Sequence, residues 1–118
     1  MLSEIPGVSM TGSAADAETA VQEIQRLSPD VIILDLHLRR GTGIDVLRAL
    51  RRGAARTPVS IVFSSCVDRF CREFCRRQGA DFIVDKSENY SRLAEVIRSI
   101  ASEFTGNGGR GRLIPAEN

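Results

Sequence analysis

VIILDLHLRRGTGIDVLRAL, residues 31–50, carries a strand, a loop and a helix in succession. Asp30 to Asp35 is a compact apolar run of strand length. A run without polar alternation is what a strand buried on both faces of a parallel sheet shows. The polar residues His37 to Gly43 include two glycines and read as a loop. From Ile44 the side chains Ile44, Leu47 and Leu50 recur at helical spacing, the other faces carry Arg48, Arg51 and Arg52, and Gly53 marks the end.

The same alternation extends both ways along the chain. Upstream, Ala17, Ala20, Val21, Ile24 and Leu27 form one apolar helical face between Asp16, a residue type that caps helix N-termini, and Pro29. Downstream, Pro58 introduces a strand at Val59 to Phe63, Asp68 caps a helix running to about Gln78, and Gly79 is its C-terminal glycine. Phe82 to Val84 is strand again, and Leu93, Val96, Ile97, Ile100 and Phe104 line one face of a helix over Tyr90 to Phe104. Strands alternating with helices of these lengths predict an α/β protein, a doubly wound parallel sheet with helices on both faces. Residues 1–104 are expected to form the single domain, and 105–118, with four glycines, one proline and no periodicity, a loose and flexible tail.

A chain of 118 residues suits one hydrophobic core. The formal charge of +1 and the charged fraction of 26% give no warrant for a nucleic-acid partner. No apolar stretch approaches the roughly 20 residues that cross a bilayer, and the first residues lack the order of a secretory signal. A cytoplasmic location without membrane contact is therefore expected. Cys66, Cys71 and Cys75 are odd in number and close together, the pattern of reduced thiols rather than of a disulfide framework. Cys71 and Cys75 share an i, i+4 face near Cys66, with His37 at the same end of the sheet, but these spacings match no standard zinc site, and small buried hydrophobes are the better reading.

Three apolar runs each deliver one polar group at the carboxyl end: Asp35 after 31–34, Ser64 after 60–63, and Lys86, the only lysine against fifteen arginines, after 82–84. Open α/β sheets place their ligands at that end. A carboxylate, a hydroxyl and an ammonium gathered there suit phosphoryl chemistry.

On these residues the chain resembles the receiver domain of bacterial two-component response regulators, the chemotaxis-type phosphoacceptor group with flavodoxin-like architecture. The resemblance covers about residues 5 to 104 and rests on VIILDLHLRRGTGIDVLRAL, on PVSIVFSS and on GADFIVDKS, in that order. It implies that Asp35 accepts a phosphoryl group from a sensor histidine kinase, that Lys86 pairs with a phosphoryl oxygen, and that Ser64 donates to another and draws the following loop toward it. It implies Mg²⁺, held by the Asp35 carboxylate, the backbone carbonyl of His37 and an acidic pair on the family's first strand. That strand and most of the first helix are missing from the match, since residues 2–8 resemble the end of the first helix and Val8 to Thr11 the second strand. The resemblance therefore predicts weakened Mg²⁺ binding and a central gap in the sheet, closed by an upstream segment, by repacking, or by a partner in a homodimer, strand-swapped if need be.

The helix from Asp68 carries Arg69, Arg72, Arg76 and Arg77. By the resemblance its face is the output surface, toward a downstream protein. Where the family often has an aromatic residue that swings inward on activation, three residues before the lysine, this chain has Ile83. Two other functions fit parts of the pattern. Haloacid-dehalogenase-type phosphatases also set an aspartate, a Ser or Thr and a lysine at strand ends, but they want a second aspartate two positions after the first, where this chain has His37. A degenerate receiver would use the same fold as a constitutive interaction domain. A signalling module, with no enzymatic turnover beyond its own phosphorylation and dephosphorylation, is the expectation.

Overall fold

Three helix starts in this chain are fixed by short polar side chains that accept from orphan backbone N–H groups. The computed structural model describes residues 8–10, 14–53, 57–65, 68–106 and 111–116. Asp16 accepts from Thr19 N at 2.7 Å and opens α1, Ala17–Leu27, which ends at Ser28 in the left-handed region (φ 46°). Thr42 and Asp45 form a reciprocal capping box at α2, Gly43–Arg52. Asp68 accepts from Cys71 N at 2.8 Å at the start of α3, Arg69–Arg77, and Gly79 follows its end at φ 107°. The last helix, α4, spans Asn89–Gly106 and is preceded by one 3₁₀ turn, Lys86–Glu88.

Between the helices lie β1 (Val8–Met10), β2 (Val31–Leu34), β3 (Val59–Ser64) and β4 (Phe82–Asp85), with β5 (Gly111–Ala116) after α4. All neighbours are parallel, in the order β1-β5-β2-β3-β4. The strand and helix positions expected from periodicity hold to within a residue or two; the predicted strand residue Thr11 lies outside the described residues.

The two faces of the sheet are covered unequally. Ile32, Leu34 and Val62 meet Ala17, Ala20 and Ile24 of α1, Val46 and Leu47 of α2, and Cys75 of α3. Val31, Ile33, Ile61, Phe63 and Val84 point the other way, against Leu93, Val96, Ile97 and Ile100 of α4. Successive strand residues alternate between these two clusters, and both are buried, which is why the strands read as continuous apolar runs.

One expectation is corrected here. Residues 105–118 were expected to be a loose tail, yet 105–106 complete α4 and 111–116 form β5, in register with β1 from Val8↔Gly111 and with β2 from Val31↔Leu113. The gap expected between β1 and β2 is filled by the chain's own C-terminal segment. Glycine and proline hid it in the sequence: a run of six residues with Gly111 at one end and Pro115 inside scores as turn or edge, not as central strand.

Candidate functional site

The parallel register carries the three strand-end residues to one edge. Leu34 pairs with Val62 and Ser64 with Asp85, so Asp35, Ser64 and Lys86 all emerge at the carboxyl ends of β2, β3 and β4. Asp35 is buried, its side chain 11% exposed, while that of Lys86 is 36% exposed. The ammonium of Lys86 donates to Asp35 Oδ2 at 2.7 Å and lies 5.5 Å from the centroid of the Phe63 ring. The other carboxylate oxygen, Oδ1, accepts from the backbone N–H of His37 at 3.1 Å. Ser64 is fully buried at the end of β3.

The loop after Asp35 is held from several sides. His37 bridges Thr42, Gly43 N donates to Leu36 O at 3.3 Å, Arg39 N donates to Ala15 O at 2.8 Å, and Ala17 N donates to Arg40 O at 2.9 Å. These bonds tie the Asp35 loop to the starts of α1 and α2. Gly43 matters by what it lacks, because a Cβ there would stand 2.6 Å from the carbonyl oxygen of Asp35. Only a residue without a side chain lets α2 begin against the backbone that carries the carboxylate. The sequence marked this loop as containing two glycines without showing which of them the site requires.

Metal donors are few. Among the described residues no group of three or more His, Cys, Asp or Glu side chains comes together. The Asp35 carboxylate and the His37 carbonyl are the oxygen donors the resemblance assigns, and one carboxylate oxygen is already engaged by Lys86. Mg²⁺ takes one or two carboxylates and keeps several waters in an octahedral shell. The described residues supply the lower limit of that set, a poor fit for tight binding.

Away from this edge, α3 presents a charged and aromatic face. Arg69, Arg76 and Arg77 are exposed, with Glu73 pairing Arg77 at 2.9 Å, and a shallow pocket is lined by Arg69, Arg72, Glu73, Arg76 and Arg77. Arg72 is half-buried and donates to Ile83 O at 3.4 Å, so it belongs partly to the α3–β4 contact rather than to solvent. Phe70 and Phe74 stand on the same helix, 82% and 46% exposed. Sequence attention to the arginines passed over both, although large aromatics with no place in an apolar helical face are themselves a signal.

The thiols of Cys71 and Cys75 are free, 4.0 Å apart, and Cys66 lies outside the described residues. Burial, with the neighbouring Cys71 adding to it, pushes the Cys75 thiol up to about 12. Asp85 is held below its ordinary value chiefly by the N–H of Ser87, which donates at 2.9 Å, and also by Arg72.

An open parallel sheet whose strand ends pair a carboxylate with an ammonium beside a buried hydroxyl defines a class of phosphate-handling α/β domains. Residues 1–98 match the response regulator receiver domain family, and the chain belongs to it. A protein-glutamate methylesterase/protein-glutamine glutaminase of Alkalilimnicola ehrlichii is 34% identical over 98% of this chain and 30% of its own length. A protein of the same description from Xanthomonas campestris is 44% identical over 58% of this chain and 19% of its own. The chain thus spans less than a third of the length of these relatives. Among solved structures, a two-component response regulator of the LuxR family from Aurantimonas superposes with a TM-score of 0.76 at 24% identity, over 92% of this chain and 73% of that one. The response regulator domain of Thermotoga maritima CheB gives 0.61 at 22%, over 75% and 69%. These likenesses establish the fold as the flavodoxin-like α/β sheet of receivers. The chain is a receiver domain with a phosphoacceptor signalling role; receivers interact with histidine kinases and downstream effectors and generally bind Mg²⁺ at the phosphorylation site. No helix of the described residues is long and apolar enough to cross a membrane.

Proposed function

We propose that Asp35 is the phosphoacceptor, that Lys86 and Ser64 bind the phosphoryl group it receives, and that the α3 face carries the signal to another protein. In the transfer a carboxylate oxygen of Asp35 attacks phosphorus in line, the bond from phosphorus to the kinase imidazole breaks, and the imidazole nitrogen leaves with the electron pair. Such a reaction asks the protein mainly for position and for neutralisation of the equatorial oxygens. The observation that carries the assignment is the 2.7 Å contact between Lys86 Nζ and Asp35 Oδ2, which spans fifty-one positions of sequence. In it a compact, strongly hydrated point charge lies beside the attacking atom and is free to follow a phosphoryl oxygen once one arrives. The Ser64 hydroxyl, at the adjacent strand end, is the second donor.

Mg²⁺ supplies charge neutralisation when bound, and its donors here are Asp35 and the His37 carbonyl, so loading requires high metal concentrations. Output runs through contact with a protein target: the basic residues Arg69, Arg76 and Arg77 and the exposed Phe70 and Phe74 give α3 the mix of guanidinium and aromatic groups that anchors protein interfaces. Coupling to this face does not use an inward-swinging aromatic, since Ile83 holds that place and its carbonyl accepts from Arg72. A cytoplasmic location is part of this reading, in keeping with the free thiols of Cys71 and Cys75.

The test is incubation with acetyl phosphate over a range of Mg²⁺ concentrations, read by intact mass. Wild type is expected to gain one phosphoryl group and Asp35→Asn none. Equal labelling of the two contradicts the assignment.

A further inference from the structure

The C-terminal halves of α2 and α3 are joined by two hydrogen bonds. Arg48 Nε donates to Gln78 Oε1 at 3.2 Å, and Arg51 Nη1 donates to the backbone carbonyl of Arg77 at 3.0 Å. The two helices hold seven of the fifteen arginines of a chain whose formal charge is only +1, against two carboxylates. Both carboxylates are engaged, Asp45 in the α2 capping box and Glu73 with Arg77. Among the described residues no carboxylate pairs with Arg48, Arg51, Arg52 or Arg76. Like charges gathered in this way repel one another, and a bound anion relieves the repulsion.

α3 turns a different flank to each of its neighbours. Arg72 reaches β4 through the carbonyl of Ile83, so Arg69, Arg72 and Arg76, at i, i+3 and i+7, form the β4 flank. Gln78 reaches α2, and Phe74 and Phe70 precede it at one-turn intervals on that flank. They climb from the seam toward solvent, 46% exposed at Phe74 and 82% at Phe70. Large aromatics left in water beside guanidinium groups mark a contact surface.

We propose that the seam between α2 and α3 docks an acidic segment of a partner protein, its carboxylates on Arg48 and Arg51 and a large apolar side chain against Phe70 and Phe74. This rests on the reading of α3 as the output face, and adds α2 and the chemistry of the partner. The bonds to Gln78 and Arg77 use one N–H group of each guanidinium and hold it in place, leaving its other N–H groups for a carboxylate. Groups fixed in advance lose less freedom on binding. Helices of ten and nine residues are about 15 Å long, the span of a short peptide segment. A chain of near-zero net charge lacks the basic balance of a nucleic-acid-binding domain, which favours a protein carboxylate as the anion.

The test titrates isotopically labelled full chain with a short synthetic peptide of glutamates around leucines, and maps the shifted amides by NMR. Saturable shifts are expected at residues 48–52 and 70–78. Peptides with glutamine for glutamate, or serine for leucine, are expected to bind roughly tenfold more weakly. The double variant Arg48→Ala, Arg51→Ala, its fold checked by circular dichroism, and the surface variant Phe70→Ser should each weaken binding by about tenfold, and Arg69→Ala on the β4 flank by less than about twofold. Shifts centred on Arg69, Arg76 and β4, with binding unaltered in the double variant, overturn the seam while leaving α3 as the output face. Shifts that spare α3 overturn both. Absence of saturable binding, or tighter binding of a single-stranded oligonucleotide than of the peptide, also overturns the proposal. The titration uses no phosphodonor, so its result is independent of the role of Asp35.

Discussion

At the scale of single residues, the molecule concentrates its constraints around Asp35. The carboxylate holds a lysine with one oxygen and a backbone N–H with the other, while Gly43 clears space over its carbonyl. Gly43→Ala would force a methyl group into 2.6 Å contact with backbone, which cannot swing aside as a side chain can. The expected cost is about 1–3 kcal/mol, typical of overpacking at a rigid contact, and urea denaturation measures it. A destabilisation below a few tenths of that range would mean that α2 starts farther from Asp35 than described. The two described thiols should also separate chemically. With the Cys75 thiol pushed up to about 12 it stays protonated and sheltered at neutral pH, so iodoacetamide is expected to modify Cys71 well before Cys75 by peptide mass mapping. The placement of Asp35, Ser64 and Lys86 at the carboxyl ends of strands was legible in the sequence because each closes or follows an apolar run of strand length. Gly43 and Phe63 were not, since their roles depend on what the folded chain brings within a few ångströms.

At the scale of elements, local signals explain most of what the sequence revealed. Asp16, Thr42 and Asp68 each precede a helix and each accepts from a first-turn N–H. The Asp16 cap is also a titration device. The Thr19 N–H, first of all, holds its carboxyl below the ordinary 3.8, so the cap stabilises fully above about that pH and the contribution is lost as pH falls through the folded value. Helical circular dichroism should therefore decline in acid, and Asp16→Ala should flatten that limb of the curve while leaving the neutral limb lower. An acid limb unaltered in Asp16→Ala would show that the cap is not formed in solution. β5 escaped the same reasoning because its glycine and proline are turn residues by propensity. Its strand conformation comes from two neighbouring edges that a local pattern does not reveal.

At the scale of the whole molecule, the sheet order β1-β5-β2-β3-β4 keeps the spatial plan of a receiver while drawing one central strand from the other end of the chain. Among the described residues three helices cover one face and α4 the other, so the α4 cluster is the thinner half of the core described. Leu93, fully buried there against β2, β3 and β4 residues, is its anchor, and Leu93→Ala is expected to cost about 2–5 kcal/mol in urea denaturation. The edge that carries Asp35, Ser64 and Lys86 needs β2, β3 and β4 in register. The most direct measurement of the central claim exploits the chemistry of an acyl phosphate. Protein treated with acetyl phosphate and Mg²⁺ is reduced with borohydride, which converts a phosphorylated aspartate to homoserine, and the converted residue is located by peptide mass spectrometry. Homoserine at position 35 is the predicted result, and homoserine at another aspartate, with residue 35 unconverted, would contradict the account.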